Sequence, residues 1–285
     1  MNITTALGKA AVLADALPYI RRFAGKVVVI KYGVAAMTDP GLGDLFARDV
    51  VLMRMVGMRP VVVHGGGPQI GQLMQRLGME PQFLDGLRVT DADTLDIARM
   101  VLVGKVNRDI VASINVHGAL AVGLSGEDAG LIMASPRSPE LGFVGDVVGV
   151  NPGLLERLLA EDLIPVLATI GSDAAGQAYN INADTVAGAV AEALGAEKLV
   201  YLTDVVGLLA EVGNPFSVIS TTSADELDAL LASGRLRGGM IPKIASCVHA
   251  VRHGVGHAHI LDGRVPHALL LEVFTPEGVG TMVTP

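Results

Sequence analysis

Residues 61–70 read Val-Val-Val-His-Gly-Gly-Gly-Pro-Gln-Ile, and this stretch decides how the rest of the chain is interpreted. The run from Val61 to His64 predicts a buried strand, and Pro68 is suited to the first turn of a helix. The three intervening glycines carry no side chains, so backbone N–H groups can approach a ligand closely, and the helix N-terminus adds partial positive charge. The turn therefore suits a phosphate or a carboxylate, although a glycine-rich connection without a ligand shows the same pattern.

The composition indicates a large α/β protein. The chain has 285 residues, of which 51% are hydrophobic and 18% charged, so it can form one large domain or two lobes. Apolar tracts such as Val27–Ile30 are typical of parallel strands covered on both faces. A net charge of −8 and the absence of Trp argue against nucleic acid as a partner. The single Cys247 and the lack of an apolar run of ~18 residues predict a cytoplasmic protein with no membrane partner.

The residues before the glycine turn complete a βαβ unit. A strand over Lys26–Lys31, a helix over 43–57 and a strand over 59–64 follow one another. Lys31 ends the first strand where open α/β sheets bind ligands, although a lysine that merely extends into solvent shows the same pattern. The spacing of glycines 65, 67 and 71 is similar to a dinucleotide fingerprint, but it follows the second strand and lacks the later acidic residue. A dehydrogenase is therefore the weakest interpretation.

Polar residues recur at the ends of predicted strands and the starts of predicted helices. They are Arg88, before a long helix through residues 100–117; Asn180, Asn182 and Asp184, at the start of a helix to Leu194; and Thr203 and Asp204, after a strand. Such residues cap helices or lie on surfaces in many proteins. They also suit a ligand site, because a guanidinium binds carboxylates in a bidentate manner.

Four histidines near the C-terminus were considered as metal ligands. His249 and His253 are spaced i, i+4, and His257 and His259 follow. Gly254 breaks the helix between the two pairs, and no carboxylate joins them. The sequence therefore predicts histidines on a helix surface and no metal site.

Six motifs in a fixed order resemble the amino-acid kinase family, in particular its branch that phosphorylates N-acetyl-L-glutamate. They are Lys31-Tyr32-Gly33, Val63-His64-Gly65-Gly66-Gly67-Pro68-Gln69, Gly86-Leu87-Arg88-Val89-Thr90, Asn180-Ile181-Asn182-Ala183-Asp184, Leu202-Thr203-Asp204-Val205 and Gly239-Met240-Ile241-Pro242-Lys243. The resemblance implies a three-layer α/β/α sandwich with a mostly parallel open sheet and two lobes. Residues 1–24 would form a helical oligomerisation arm. Residues 25–174 would bind the amino acid and form dimers, and residues 175–285 would bind ATP.

The resemblance also implies the chemistry, which is ATP-dependent phosphorylation of the side-chain carboxylate of N-acetyl-L-glutamate in arginine biosynthesis. Lys31 and Lys243 would contact the phosphoryl group in transfer, Asp184 would orient both lysines, and Mg²⁺ would be carried mainly by the ATP phosphates. The acceptor would be bound by Gly65, Gly66, Gly67, Arg88, Asn180 and Asn182. The nucleotide and its phosphates would be bound by Lys31, Gly33, Gly66, Thr203, Asp204 and Lys243.

One residue departs from the family pattern. Val34 stands where a second glycine usually follows the first strand, and its β-branched side chain cannot easily adopt a positive φ. Two alternatives therefore stay open. One is a kinase for a related carboxylate such as N-acetylaminoadipate, and the other is a catalytically weakened binding or regulatory member.

Arginine-inhibited members of the family resemble this chain at both ends. Residues 3–23 predict an amphipathic helix, which would pack on its own domain or grip another subunit. The resemblance implies a homo-oligomer, a dimer that assembles further into a hexamer, and inhibition by L-arginine. The implied arginine site contains His267, Glu272, Glu277 and Gly278.

Overall fold

The computed structural model describes residues 3–33, 37, 39–211, 213–214, 216–234, 236, 240–275 and 278–285. The helices are α1 (Ile3–Asp15), α2 (Leu17–Phe23), α3 (Pro40–Met55), α4 (Gly67–Arg76), α5 (Ala92–Arg99), α6 (Asn107–Asn115), α7 (Gly153–Ala160), α8 (Ala183–Ala193), α9 (Ala224–Ala232), α10 (Met240–Arg252) and α11 (Ala268–Phe274). The strands are β1 (Val27–Tyr32), β2 (Arg59–His64), β3 (Phe83–Leu84), β4 (Leu87–Arg88), β5 (Ala121–Ser125), β6 (Ile132–Pro136), β7 (Val144–Val150), β8 (Ile164–Ala168), β9 (Ile170–Ser172), β10 (Ala178–Ile181), β11 (Lys198–Thr203), β12 (Thr221–Ser223), β13 (His257–Asp262) and β14 (Thr281–Thr284).

An eight-stranded sheet crosses the molecule in the order β12-β14-β13-β11-β1-β2-β8-β5. Its pairs are parallel except for β13 with β14. The carboxyl ends of β1, β2 and β11 therefore meet at one edge. Strands β6, β7, β9 and β10 form a separate small barrel, and β3 pairs with β4 as a hairpin.

Helices cover both faces of the sheet, because the strands are apolar on both sides. Along β1, Val28 and Ile30 pack in one core with α3, whereas Val29 packs in the other core with α8 and α10. This alternation follows from the two-residue period of a strand. It confirms the predicted three-layer sandwich with a mostly parallel sheet.

Two helix predictions need correction. The single helix predicted over residues 3–23 is divided, because Pro18 lies in the first turn of α2 and cannot donate a backbone N–H to α1. The helix predicted through residues 100–117 contains a π-helical segment, Met100–Val106, between α5 and α6. Such segments often occur at functional sites.

The two predicted lobes share one continuous sheet. The boundary predicted between residues 174 and 175 lies in the connection between the antiparallel strands β9 and β10. Residues assigned to different lobes share the main sheet, because β1 pairs with β11 from Val28 and Lys198 onward. The functional roles of the two lobes remain predictions. Within the described residues, every helix is too short or too polar to cross a membrane.

Candidate active site

Asp184 lies between two lysines at the carboxyl edge of the sheet. Lys31, near the end of β1, places Nζ 2.9 Å from Asp184 Oδ1. Lys243, in the first turn of α10, donates from Nζ to Asp184 Oδ2 at 2.8 Å. The exposed fractions of the three side chains are 14% for Lys31, 12% for Asp184 and 8% for Lys243. The structure thus brings together the three residues predicted to be catalytic.

The charge of this cluster is unbalanced. Burial alone would raise the pKa of Asp184, but the nearby Lys31 and Lys243 ammonium groups outweigh burial and hold that pKa below its ordinary value. The carboxylate is therefore ionised at neutral pH. Two ammonium groups against one carboxylate leave a surplus of one positive charge, which an anion at this edge can use.

The backbone of Asp184 is fixed from two directions. Asn182 caps α8, its Oδ1 accepting the N–H groups of Asp184 at 2.8 Å and Thr185 at 3.2 Å. Tyr201 Oη and Ser246 Oγ donate to the Asp184 carbonyl at 3.2 and 3.1 Å. The sequence does not predict roles for Tyr201 and Ser246. Their contacts with Asp184 arise only because β11 and α10 pack against α8.

Close packing explains why glycine is needed at two positions beside the cluster. A Cβ on Gly66 would lie 2.8 Å from Leu102 Cδ2 of the π segment, and one on Gly33 would lie 2.1 Å from the Leu202 carbonyl oxygen. A Cβ on Gly67, by contrast, would meet nothing within 4 Å. The turn is therefore packed against the fold at Gly66 and open to a ligand at Gly67.

A cavity of about 240 Å³ adjoins this turn and holds the residues predicted to bind the acceptor. Arg88 Nη2 donates to the Gly67 carbonyl at 2.8 Å, and its guanidinium lies 4.8 Å from the centre of the Phe83 ring. Burial lowers the pKa of Arg88 from its ordinary value. None of the described residues that line the cavity is a carboxylate. Those predicted from the sequence are Lys31, Gly65, Gly66, Gly67, Arg88, Asn180 and Asn182.

Of the residues predicted to contact the nucleotide, Lys31 and Gly66 line that cavity. The others lie at the same sheet edge outside it; they are Gly33, Thr203, Asp204 and Lys243. Thr203 ends β11, and its Oγ1 donates to Asp204 Oδ1 at 3.1 Å. Gly33 brings the loop after β1 against the end of β11. Val34, on which the alternative of a weakened enzyme depends, lies outside the described residues, as does Gly239.

A buried imidazole behind the glycine turn is a further feature that sequence analysis missed. His64 is inaccessible to solvent, with Nδ1 3.0 Å from the Gly65 carbonyl oxygen and Nε2 3.0 Å from Asn107 Nδ2. Asn107 Nδ2 also donates to the Val166 carbonyl at 2.8 Å. Burial lowers the pKa of His64 to about 4, so the ring is neutral, with its proton on Nδ1 and its lone pair on Nε2. Since carbonyl and N–H point in opposite directions across a trans peptide, this contact turns the Gly66 N–H away from His64.

The predicted arginine-site residues lie in two different environments. His267 Nδ1 is 2.6 Å from Asp49 Oδ1 on α3. Glu272 lies 2.7 Å from His259 Nδ1 through Oε1 and accepts the Val279 N–H at 2.8 Å through Oε2. Gly278 adopts a positive φ of 60° next to Glu272, and Glu277 lies outside the described residues.

The histidines near the C-terminus differ from the sequence expectation. His249 is exposed on α10, as predicted, whereas His253 is exposed in the turn that follows this helix. His257 and His259 belong to β13, and His259 is completely buried. The expectation that no carboxylate joins the first pair is wrong, because Glu192 on α8 lies 3.4 Å from His249.

Comparisons with known proteins agree with this geometry. The model of the amino acid kinase family matches residues 26–262. Acetylglutamate kinase from Symbiobacterium thermophilum is 58% identical, over 98% of this chain and 98% of its own. Acetylglutamate kinase from Acidothermus cellulolyticus is 55% identical, over 100% of this chain and 99% of its own.

Solved structures share the fold. N-acetylglutamate synthase from Neisseria gonorrhoeae, complexed with coenzyme A and N-acetyl-glutamate, has a TM-score of 0.86 and 28% identity, over 97% of this chain and 63% of that chain. The same synthase complexed with coenzyme A and L-arginine has a TM-score of 0.81 and 26% identity, over 96% of this chain and 65% of that chain. Carbamate kinase from Giardia lamblia bound to AMP-PNP, at 16% identity over 92% of this chain and 99% of that chain, has a TM-score of 0.70.

Proposed function

The chain belongs to the amino acid kinase family, and from this we propose that it transfers the γ-phosphoryl group of ATP to the side-chain carboxylate of N-acetyl-L-glutamate. Relatives named acetylglutamate kinase match it over nearly the full length of both chains. The observation that carries the proposal is one carboxylate, Asp184, paired with two lysines beside a glycine turn and a cavity that contains Arg88.

The reaction requires positive charge more than it requires a base. The acceptor carboxylate is already an anion at neutral pH, so no proton has to be removed. The difficulty is to bring it onto a phosphoryl group that is also negative, and catalysis must come from positioning and charge stabilisation. Lys31 and Lys243 supply that charge, and Asp184 holds both ammonium groups at one point.

The acceptor would lie in the cavity beside the glycine turn. Arg88 carries donors in a planar fork, of which one contacts the Gly67 carbonyl, and Asn180 lies in the same cavity. Together they suit the α-carboxylate of N-acetyl-L-glutamate. The Gly66 N–H, fixed by the contact between His64 and Gly65, would donate to the transferring phosphoryl group.

The nucleotide would lie at the ends of β1 and β11, where Gly33, Thr203 and Asp204 occur. Both oxygens of Asp184 already lie within 2.9 Å of a lysine Nζ, and none of the described residues that line the acceptor cavity is a carboxylate. Mg²⁺ is therefore expected on the ATP phosphates, where it neutralises charge during transfer.

A coupled assay of ADP release tests the proposal. N-acetylglutamate, glutamate and N-acetylaminoadipate are compared as acceptors, and N-acetylglutamate is expected to give the highest kcat/KM. A preference for N-acetylaminoadipate would favour the related kinase. Absence of turnover with all three, restored by Val34→Gly, would favour the weakened member.

We also propose that the chain forms a hexamer of three dimers and is inhibited by L-arginine. The support is a set of apolar residues on α1 and α2 that remain exposed in the single chain, and a relative whose structure holds L-arginine. These residues are Leu7, Val12, Leu13 and Leu17. Glu272 would accept the guanidinium only by sharing its contacts with His259 and Val279. A cytoplasmic location stays a prediction.

Deletion of residues 1–16 tests this assembly. The deletion stops before Phe23, because that side chain is buried in the core. Light scattering is expected to change from a hexamer to a dimer, and arginine sensitivity is expected to fall while activity remains. A dimer for the intact chain, or unchanged arginine inhibition after the deletion, would contradict the proposal.

A further inference from the structure

Three metal-binding side chains converge on the outer surface of α8 and α10. His249 lies in α10, His253 immediately follows the last residue of that helix, and Glu192 lies near the end of α8. His249 Nε2 is 3.4 Å from Glu192 Oε2, and the two imidazole rings stack with their centroids 4.0 Å apart. One ligand atom from each residue lies within 4.8 Å of the other two. Two nitrogen donors and one carboxylate oxygen therefore meet at one point.

The protonation of His253 favours metal binding. Its Nδ1 lies 2.7 Å from the backbone carbonyl oxygen of His249. A carbonyl only accepts hydrogen bonds, so Nδ1 carries the proton and Nε2 presents a lone pair. Histidines that bind metals in proteins are usually fixed in this way, with the second ring nitrogen donating to a carbonyl or carboxylate.

The distances fit a small tetrahedral ion. Two ligand atoms bonded to Zn²⁺ at ~2.1 Å with tetrahedral angles lie roughly 3.4 Å apart. The separation of His249 Nε2 and Glu192 Oε2 has this value. The stacked rings do not yet direct their lone pairs at one point, so the His249 ring must rotate about its side-chain bonds, which its exposure allows. We propose that Glu192, His249 and His253 bind a divalent transition metal of the Zn²⁺ class, with solvent in the fourth position.

The ligand set selects among metals. Two imidazoles with one carboxylate suit Zn²⁺, Co²⁺ or Ni²⁺, whereas Mg²⁺ and Ca²⁺ prefer oxygen ligands. The proposed ion therefore differs in kind from the Mg²⁺ that accompanies ATP, although Glu192 and His249 line the same cavity as Asp184. Its position gives it a structural consequence, because α8 begins beside Asp184 and α10 carries Lys243. A bound metal would cross-link the two helices that bring these residues together.

Metal titration of the untagged, chelator-treated chain tests the site, with Zn²⁺ followed by calorimetry and Co²⁺ by its visible absorption. One ion per chain and a tetrahedral Co²⁺ spectrum are expected. His253→Ala should weaken binding by more than the roughly tenfold that loss of an outer-shell partner costs. Glu192→Gln should weaken binding in the same direction.

His117→Ala is the matched control, because His117 is an exposed histidine outside the cluster. It should bind the metal as the unchanged chain does. Thermal unfolding in the presence of chelator should be the same for all variants, and added Zn²⁺ should raise the Tm only where the three ligands are intact. Equal binding by the unchanged chain and His253→Ala, or no binding by the unchanged chain, would overturn the proposal.

Discussion

Two buried lysine–carboxylate clusters lie at opposite edges of the main sheet. Lys31 is near the end of β1, where its ammonium group shares Asp184 with Lys243. Lys198 begins the neighbouring parallel strand β11, and its Nζ lies 3.0 Å from Nε2 of His259. His259 Nδ1 lies in turn 2.7 Å from Glu272. The first cluster has two ammonium groups for one carboxylate, and the second has one of each.

From this difference we infer that the first cluster is reactive and the second is structural. The balanced cluster is enclosed, with the Phe23 ring 5.2 Å from Lys198 Nζ and burial lowering the pKa of His259 to about 4. Its contacts with Phe23 and Glu272 tie α2 and α11 to the sheet. The unbalanced cluster adjoins a cavity, and in the described part of the chain its two ammonium groups share a single carboxylate. An open, uncompensated charge is where an anionic transition state can be stabilised.

The largest expected difference between the two clusters is the effect on turnover of replacing a lysine in each. Lys31→Ala and Lys243→Ala should each lower kcat on the order of 10²–10³, with smaller effects on KM, because their charge matters most in the transition state. Lys198→Ala is the matched control and should lose stability while keeping kcat. The measurement is steady-state ADP release. If Lys31→Ala or Lys243→Ala kept wild-type turnover, the lysine replaced in that variant would not have the assigned role.

Arg88→Lys should affect binding instead of the chemical step. Lysine keeps the charge but cannot form the bidentate contact, so KM for N-acetylglutamate is expected to rise about tenfold while KM for ATP changes little. Initial rates with each substrate varied in turn provide the test. An equal rise in both KM values would place Arg88 outside the acceptor site.

The two buried histidines give a finer comparison. His64→Gln removes the ring that fixes the Gly65 carbonyl, so kcat should fall by about tenfold with little change in KM, the size of one neutral hydrogen bond in the transition state. His259→Gln in the balanced cluster should leave kcat unchanged. If the two variants lost activity equally, the effect of His64 would be one of general stability.

The titration of both histidines should make the free energy of unfolding depend on pH. Because both are neutral at pH 7, this titration should not affect turnover at neutral pH. Each is neutral in the fold, with a pKa of about 4 against 6.5 in the unfolded chain. Between these values the unfolded chain binds more protons, so the free energy of unfolding should fall as the pH falls. The slope should be about 1.4 kcal/mol per pH unit for each histidine. Denaturant unfolding measured from pH 7 to 4.5 tests this. His64→Gln should reduce the slope of the free energy of unfolding against pH by the contribution of one histidine.

Most of the strands could be predicted from the sequence, because apolar runs bounded by glycine or by polar residues determine them locally. The bounds of β2 were predicted to the residue. The division at Ala16 and the π segment were not, because both depend on backbone hydrogen bonds that residue periodicity does not record. The small barrel was not predicted, because its closure depends on the pairing of β7 with β10 and of β6 with β9, which no local pattern records.

Sequence analysis could identify the site residues that belong to local motifs. It could not identify those that reach the site only through the packing of distant elements. Lys31, Asp184, Lys243 and Arg88 stand in motifs, and the structure brings them together. Tyr201 and Asn107 act through contacts with distant residues, so no local pattern indicates them. Glu192 was missed for the same reason, since it reaches His249 only when α8 packs against α10.

The most direct test of the surplus-charge account compares ground-state and transition-state mimics. The affinity for MgADP, and for MgADP with aluminium fluoride and N-acetylglutamate, is measured for the unchanged chain and for Lys243→Ala. We predict that the variant binds MgADP almost normally but loses affinity for the aluminium fluoride complex by a factor similar to its loss in kcat. An equal loss for both ligands, or no loss for either, would contradict the claim that the second lysine acts on the transferring phosphoryl group.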